Sequence, residues 1–156
     1  MNNRIKCSDY NDNYHALRSI IDEHIENHEF DEAYELLISI KDSASYDEEY
    51  IFILAYTQVQ LGLSDDAIKT LLELTYLNTI RETESVIRGF LADILHNNGM
   101  IFKAFEEINK ALKCDPNDDK IIKTYNNIAV DFNNRFGDFL LLAQSIKTNK
   151  NYVSSN

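Results

Sequence analysis

Helix breakers are scarce in this chain. Proline occurs once in 156 residues, at Pro116, and glycine four times, so the expectation is long helices joined by short turns. No apolar run approaches the roughly 18 residues that a bilayer-spanning helix needs. The opening Met1-Asn2-Asn3-Arg4 carries no apolar secretory core. Only two cysteines are present, Cys7 and Cys114, far apart and without metal-ligand or redox spacing. That usage fits a reducing compartment, and the expectation is a cytoplasmic protein. Basic side chains are also few: 15 Lys and Arg against 26 Asp and Glu leave a net charge of −11. Nucleic acid and anionic membranes both call for a basic face, so neither is expected as a partner. Phosphate-cradling glycine loops and nucleophile motifs are absent. One metal-like spacing exists, His24-Ile25-Glu26-Asn27-His28, but it lacks a third ligand and the His-Glu-x-x-His order of zinc proteases. No catalytic residue, metal site or cofactor is therefore assigned, and the expectation is a protein that is not an enzyme.

What is present is core material and acid. The chain is 44% hydrophobic and 26% charged, ample for one continuous core. The charge is uneven: residues 1–47 hold 4 basic and 11 acidic groups, whereas residues 119–156 hold 5 and 3. The acidic half is a solvated surface, a steering field for a basic partner, or one end of a head-to-tail association with the mildly basic end.

Three segments repeat one pattern: His28-Glu29-Phe30-Asp31-Glu32-Ala33, Gly62-Leu63-Ser64-Asp65-Asp66-Ala67 and Gly99-Met100-Ile101-Phe102-Lys103-Ala104. Their alanines are 34 and 37 residues apart, a period that belongs to two-helix repeat units. Apolar residues at i, i+3 and i+4, such as Leu17, Ile20, Ile21 and Ile25, predict amphipathic helices on both sides of each segment. Residues 1–13 are expected to be a flexible N-terminal segment and 148–156 a flexible tail. Ser45 and Glu48 have capping-box spacing before one helix, and Ser64 is expected to cap another. The connector near Asn78–Glu84 is about three residues longer than its counterparts. Asp118 or Asp119 should cap a helix reaching to about Asn134, which Gly137 would separate from a last helix, Asp138–Ile146.

Taken together the helix pairs resemble tetratricopeptide repeats, with units opening at Tyr14, Glu48 and Ser85 and a degenerate fourth from Asp119. Leu91, Ala92, Gly99, Ala104, Ile108, Ala111 and Pro116 carry the match in the third unit. Leu54, Ala55, Gly62, Ala67 and Leu71 carry it in the second, and Ile20, Ala33 and Leu37 in the first. The fold class expected is all-α: a solenoid of about three such hairpins plus a C-terminal capping hairpin, forming one domain over 14–147. Small residues keep the paired helices close, as Ala55 does against Ala67 and Ala92 against Ala104. Ile21 stands where the family prefers a small residue, which predicts a slightly splayed first pair.

The resemblance also implies a partner-binding concave groove lined by the first helix of each unit. On these positions it places His15, Arg18, Asp22, Ile25 and Glu26, then Glu49, Phe52, Tyr56, Val59 and Gln60. Unit three contributes Val86, Gly89, Asp93, His96 and Asn97, and the capping hairpin Lys120, Lys123, Asn127, Val130 and Asp131. Phe52, Tyr56 and Val59 form an apolar stripe suited to an anchor from a peptide or helix. Asp22 would repel a carboxylate, which disfavours the carboxylate clamp of chaperone-binding relatives. The expected role is an adaptor or scaffold that binds a protein or peptide partner. The alternatives are a small acidic chaperone for a secreted or aggregation-prone client, similar in architecture to type III secretion translocator chaperones, and self-assembly into a homo-oligomer through the C-terminal hairpin with Phe132, Phe136, Phe139 and Leu140.

Overall fold

The computed structural model describes the backbone of residues 7–44, 47–77 and 81–153, and the side chains of 17–41, 44, 47–76 and 83–138. Among these residues there are eight helices and no strand: α1 (Cys7–Glu26), α2 (Phe30–Ser39), α3 (Lys41–Ala44), α4 (Glu48–Gln60), α5 (Ser64–Leu77), α6 (Arg81–Asn97), α7 (Ile101–Cys114) and α8 (Asp119–Val153). Three helix hairpins, α1–α2, α4–α5 and α6–α7, coincide with the three repeated segments. The expected all-α class holds.

One device builds all three hairpin turns. His28, Gly62 and Gly99 each have positive φ, at 61°, 75° and 73°. The amide following each reaches back five residues: Glu29 N–H to His24 O, Leu63 N–H to Gln58 O and Met100 N–H to Leu95 O, at 2.8, 2.8 and 2.9 Å. The positive-φ residue itself donates to Ile25, Val59 or His96 O. This is the Schellman arrangement, which satisfies carbonyls that the helix end leaves open. The carbonyls of Glu29, Leu63 and Met100 then accept from Ala33, Ala67 and Ala104 N–H, starting the second helix. Leu63, rather than Ser64, therefore occupies the cap position, and Ser64 is the first residue inside α5.

The alanines of the pattern stand at the helix crossings. Ala33, Ala55, Ala67, Ala92 and Ala104 are all fully buried. A larger side chain at such a crossing must push the backbones apart or adopt a strained rotamer. Ile21, also fully buried, takes the small residue's place in the first hairpin. The first hairpin also has the shortest second helix, an α2 of only ten residues.

The chain divides into two compact units, Met1–Ile80 and Arg81–Asn156, and not into the single domain expected over 14–147. The division falls between α5 and α6, where the repeat interval stretches to 37 residues and the added residues lengthen α6 instead of the connector. It also separates the charge: residues 1–80 hold 5 basic and 16 acidic groups, residues 81–156 ten of each. The first unit is built from α1 to α5 around Ile21, Leu37, Leu54 and Leu71. At its centre the buried Tyr50 hydroxyl donates to Leu37 O at 2.8 Å, closing a carbonyl at the end of α2. Asp47 caps α4 by accepting from Tyr50 N–H at 3.0 Å, a role the sequence pattern assigned to Ser45, which lies outside the described residues.

The second unit packs α6, α7 and α8 around Leu91, Ile108 and Ile128. Helix α6 begins at Arg81, four residues before the position predicted from the repeat. Glu84 and Arg88 support this added turn as an i, i+4 pair with the acid toward the N-terminus, Arg88 Nε donating to Glu84 Oε1 at 2.7 Å. Asp118 caps α8, its Oδ1 accepting from Lys120 and Ile121 N–H.

The expected capping hairpin is corrected. Helix α8 runs unbroken for 35 residues through Gly137, so no hairpin forms there. Gly137 does not have the positive φ of the turn glycines, and Asp138 stands at the place of the crossing alanine. Glycine in a helix costs about 1 kcal/mol relative to alanine, which weakens a long helix without ending it. Residues 148–153 belong to the same helix, and residues 7–13 to α1. Residues 1–6 and 154–156 lie outside the described residues.

Candidate functional site

In the first unit, α1 and α4 carry the expected Arg18, Asp22, Phe52, Tyr56, Val59 and Gln60. Arg18 bridges the two helices. Its Nε donates to both oxygens of Asp22 at 3.1 and 3.2 Å, and its Nη2 to Glu49 Oε1 at 2.7 Å. The hydrogen bond to Glu49 holds the guanidinium pKa above its ordinary value, aided by Asp22 and opposed by burial. The same bond, with the arginine charge, lowers the Glu49 carboxyl, against some desolvation. Any stabilisation from this pair is present above the ordinary carboxylate pKa and is lost as pH falls through the lowered value. Because Glu49 is largely exposed, solvent keeps that contribution small. The functional consequence is larger: Arg18 is committed to two carboxylates, so it does not offer a free clamp for a third; the side chain of His15, expected on the same face, lies outside those described.

Beside this bridge runs the apolar stripe. Phe52, Tyr56 and Val59 are half-buried and Gln60 is exposed. The Tyr56 ring stands edge-on to Phe30 of α2, with centroids 6.3 Å apart, and Phe30 lies against His28 at 5.7 Å. A row of three rings thus runs from the first turn to α4, and one edge of Tyr56 is occupied. Phe30 is a contributor that the inward positions did not include, since the pattern assigned it to the core of α2. Gln58 does not belong to this face: it is buried, accepting from Thr70 Oγ1 at 2.9 Å.

In the second unit, α6 and α8 bring together Asp93, His96, Asn97, Lys123 and Asn127. His96 Nε2 lies 2.7 Å from Asp131 Oδ2, joining the two helices. Asp93, Asn97, Lys123 and Asn127 are exposed, as are the apolar Val86 and Val130. Space beside Gly89 is taken by α8, because a Cβ there would sit 3.5 Å from Ile121 Cγ1. The exposed residues of this face are mostly polar, and it lacks the aromatic stripe of the first unit. Arg88, on another side of α6, is a core strut: burial works against its charge, but hydrogen bonds to Glu84 and Glu107 outweigh this and raise its pKa.

The C-terminal aromatics behave differently from expectation. Phe132 is buried and stacks on Phe105 of α7 at 4.2 Å, and Phe136 packs against Phe132 at 5.1 Å and edge-on to Phe102. Phe132 is thus consumed within its own unit and cannot drive self-assembly, because α8 lies alongside α7 instead of folding back. The side chains of Phe139 and Leu140 lie outside those described. Among the described residues, no group of three or more His, Cys, Asp or Glu side chains is placed to hold a metal. None of the described helices is long and apolar enough to cross a membrane.

No family model and no curated protein matches the sequence. Solved structures do match. The Yersinia enterocolitica type III secretion chaperone SycD, in complex with a peptide of the translocator YopD, aligns with a TM-score of 0.68 over 77% of this chain and 95% of that one, at 15% identity. PcrH in complex with the chaperone-binding region of PopD gives 0.63 over 77% and 88%, at 14% identity. The tetratricopeptide domain of Sgt2 from Aspergillus fumigatus gives 0.65 over 77% and 80%, at 16% identity. The fold is the tetratricopeptide-repeat fold. Its recurring turn is here carried by His28, Gly62 and Gly99, and its small crossing residues by the buried alanines.

Proposed function

We propose that this tetratricopeptide-repeat chain is a non-enzymatic interaction module that binds a segment of a partner protein on the first-helix faces of its repeats. The observation that supports this most directly is the half-exposed stripe of Phe52, Tyr56 and Val59 on α4, edged by hydrogen-bonding groups and backed by the Phe30 ring. Aromatic side chains in such settings dominate binding energy when a partner excludes water from them. The net charge of −11 directs the choice of partner away from nucleic acid and anionic membranes and toward neutral or basic protein segments. The test is capture of the partner from native lysate, identification by mass spectrometry, and titration with purified components. Tyr56→Ala should weaken binding by about 30-fold, the equivalent of roughly 2 kcal/mol, and Phe52→Asp at least as much, with helical content and melting retained for the tyrosine variant. Unchanged affinity in both variants would remove the stripe from the binding site.

A second reading is favoured by one observation, the likeness to SycD, solved with a peptide of the translocator YopD, and to PcrH, solved with the chaperone-binding region of PopD. On this reading the chain is a chaperone that keeps a secreted or aggregation-prone client soluble. Co-expression separates the two: a chaperone raises the soluble yield of an apolar client, whereas an adaptor binds a partner that is already soluble alone.

A further inference from the structure

The first unit holds a second concavity on the far side of α4. A pocket of about 350 Å³ opens between α3, α4 and α5, lined by Lys41, Tyr50, Ile51, Leu54, Thr70, Glu73 and Tyr76. At about 100° per residue, Tyr50 and Leu54 point roughly opposite to Phe52 and Tyr56. The two surfaces therefore do not overlap.

The floor of this pocket is apolar by construction. Ile51 and Leu54 are buried, and Tyr50 presents its ring because its hydroxyl is bound to Leu37 O. Thr70 contributes its methyl side, its hydroxyl being committed to Gln58. The rim is the reverse. Lys41 and Glu73 are exposed, and no described residue pairs with either charge. Tyr76 stands 84% exposed, the most exposed large hydrophobic residue among those described, with Leu72 one turn before it on the same side of α5. Tyrosine and leucine are left in water here beside an apolar hollow and a free carboxylate. Around them lies a unit with 16 acidic and 5 basic groups.

From this combination we infer that the pocket is a docking site for a basic protein segment, which inserts one aromatic or leucine-sized side chain over Leu54 and pairs a neighbouring lysine or arginine with Glu73. Pockets for whole small ligands span about 300–1,000 Å³; at about 350 Å³ this one lies at the low end of that range and has room for one large side chain of a docked segment. Charge complementarity selects the flanking residues: the acidic unit attracts cations, Glu73 is the unpaired acceptor at the rim, and Lys41 faces a carbonyl of the same segment. The site is separate from the α1–α4 face and its occupation does not depend on that face.

The experiment is an amide-resolved NMR titration of the intact chain with the synthetic peptide acetyl-Lys-Lys-Phe-Lys-Lys-amide. Saturable shifts are expected at Ile51, Leu54, Thr70 and Glu73. Replacing the peptide phenylalanine by alanine, or introducing Glu73→Lys at its exposed position, should each weaken binding at least tenfold. Tyr76→Ala should weaken it several-fold. Tyr56→Ala, which tests the other face, should leave this titration unchanged, so each site can fail without the other. The inference is overturned if the shifts map to Phe52, Tyr56 and Val59, if Glu73→Lys binds equally well, or if no saturable shift appears.

Discussion

His28 is the residue at which the first repeat departs from its siblings. It occupies the left-handed position that Gly62 and Gly99 fill in the other turns, at φ 61°. A residue with a Cβ is strained there by about 1 kcal/mol. Partial compensation comes from the ring contact with Phe30 and from the adjacent pair, in which His24 Nδ1 lies 2.6 Å from Glu29 Oε2 across the turn. His28→Gly is expected to raise stability by roughly 0.5–1 kcal/mol, read as a higher urea midpoint at unchanged slope. A lower midpoint would mean that the imidazole–phenyl contact outweighs the backbone strain. That His28 lies in a turn was legible from the 34-residue spacing alone, even without a glycine. Which residue caps α4 was not, because Ser45 and Asp47 both have the chemistry, and only the helix start at Glu48 selects Asp47.

At the scale of the element, α8 shows where punctuation misleads. Gly137 looks like the other inter-helix glycines, yet it sits inside a continuous helix with nothing within 4 Å of where a Cβ would stand. Gly137→Ala should therefore stabilise the protein, by about 1 kcal/mol at most, and increase helical ellipticity. Loss of stability on that substitution would restore the hairpin. The hairpins themselves were legible, since each needs only local signals: an apolar stripe, a left-handed position and an alanine four residues beyond the cap. The fourth unit offered a glycine without the alanine, and half a signal did not make a turn. The site divides in the same way. The Phe52–Tyr56–Val59 stripe follows from helical spacing within α4, whereas the Arg18–Glu49 and His96–Asp131 bridges and the Phe30–Tyr56 contact join helices that spacing alone cannot bring together.

For the molecule as a whole, charge and compactness divide at the same connector. The first unit carries the entire excess of acid and the second is balanced, ten basic groups against ten acidic. Association with a basic partner through the first unit should therefore be steered by its field. Stopped-flow association with such a partner should slow by about tenfold or more when salt rises from roughly 0.05 to 0.5 M, as the Debye length contracts from over 10 Å to a few ångströms. A salt-independent rate would assign the acidic excess to solubility alone.

Periodicity by itself determined that this chain is helical, that its helices pair, where the three turns fall and which alanines are covered, because each of these rests on interactions between residues a few positions apart. Tertiary structure decided what such spacing cannot encode. It joined α8 into one helix, divided the chain after Ile80, committed Arg18 and Phe132 to internal partners and left Glu73 and Tyr76 without one among the described residues. Those outcomes depend on which surfaces meet across tens of residues, where packing and charge compensation are settled only once the chain has folded.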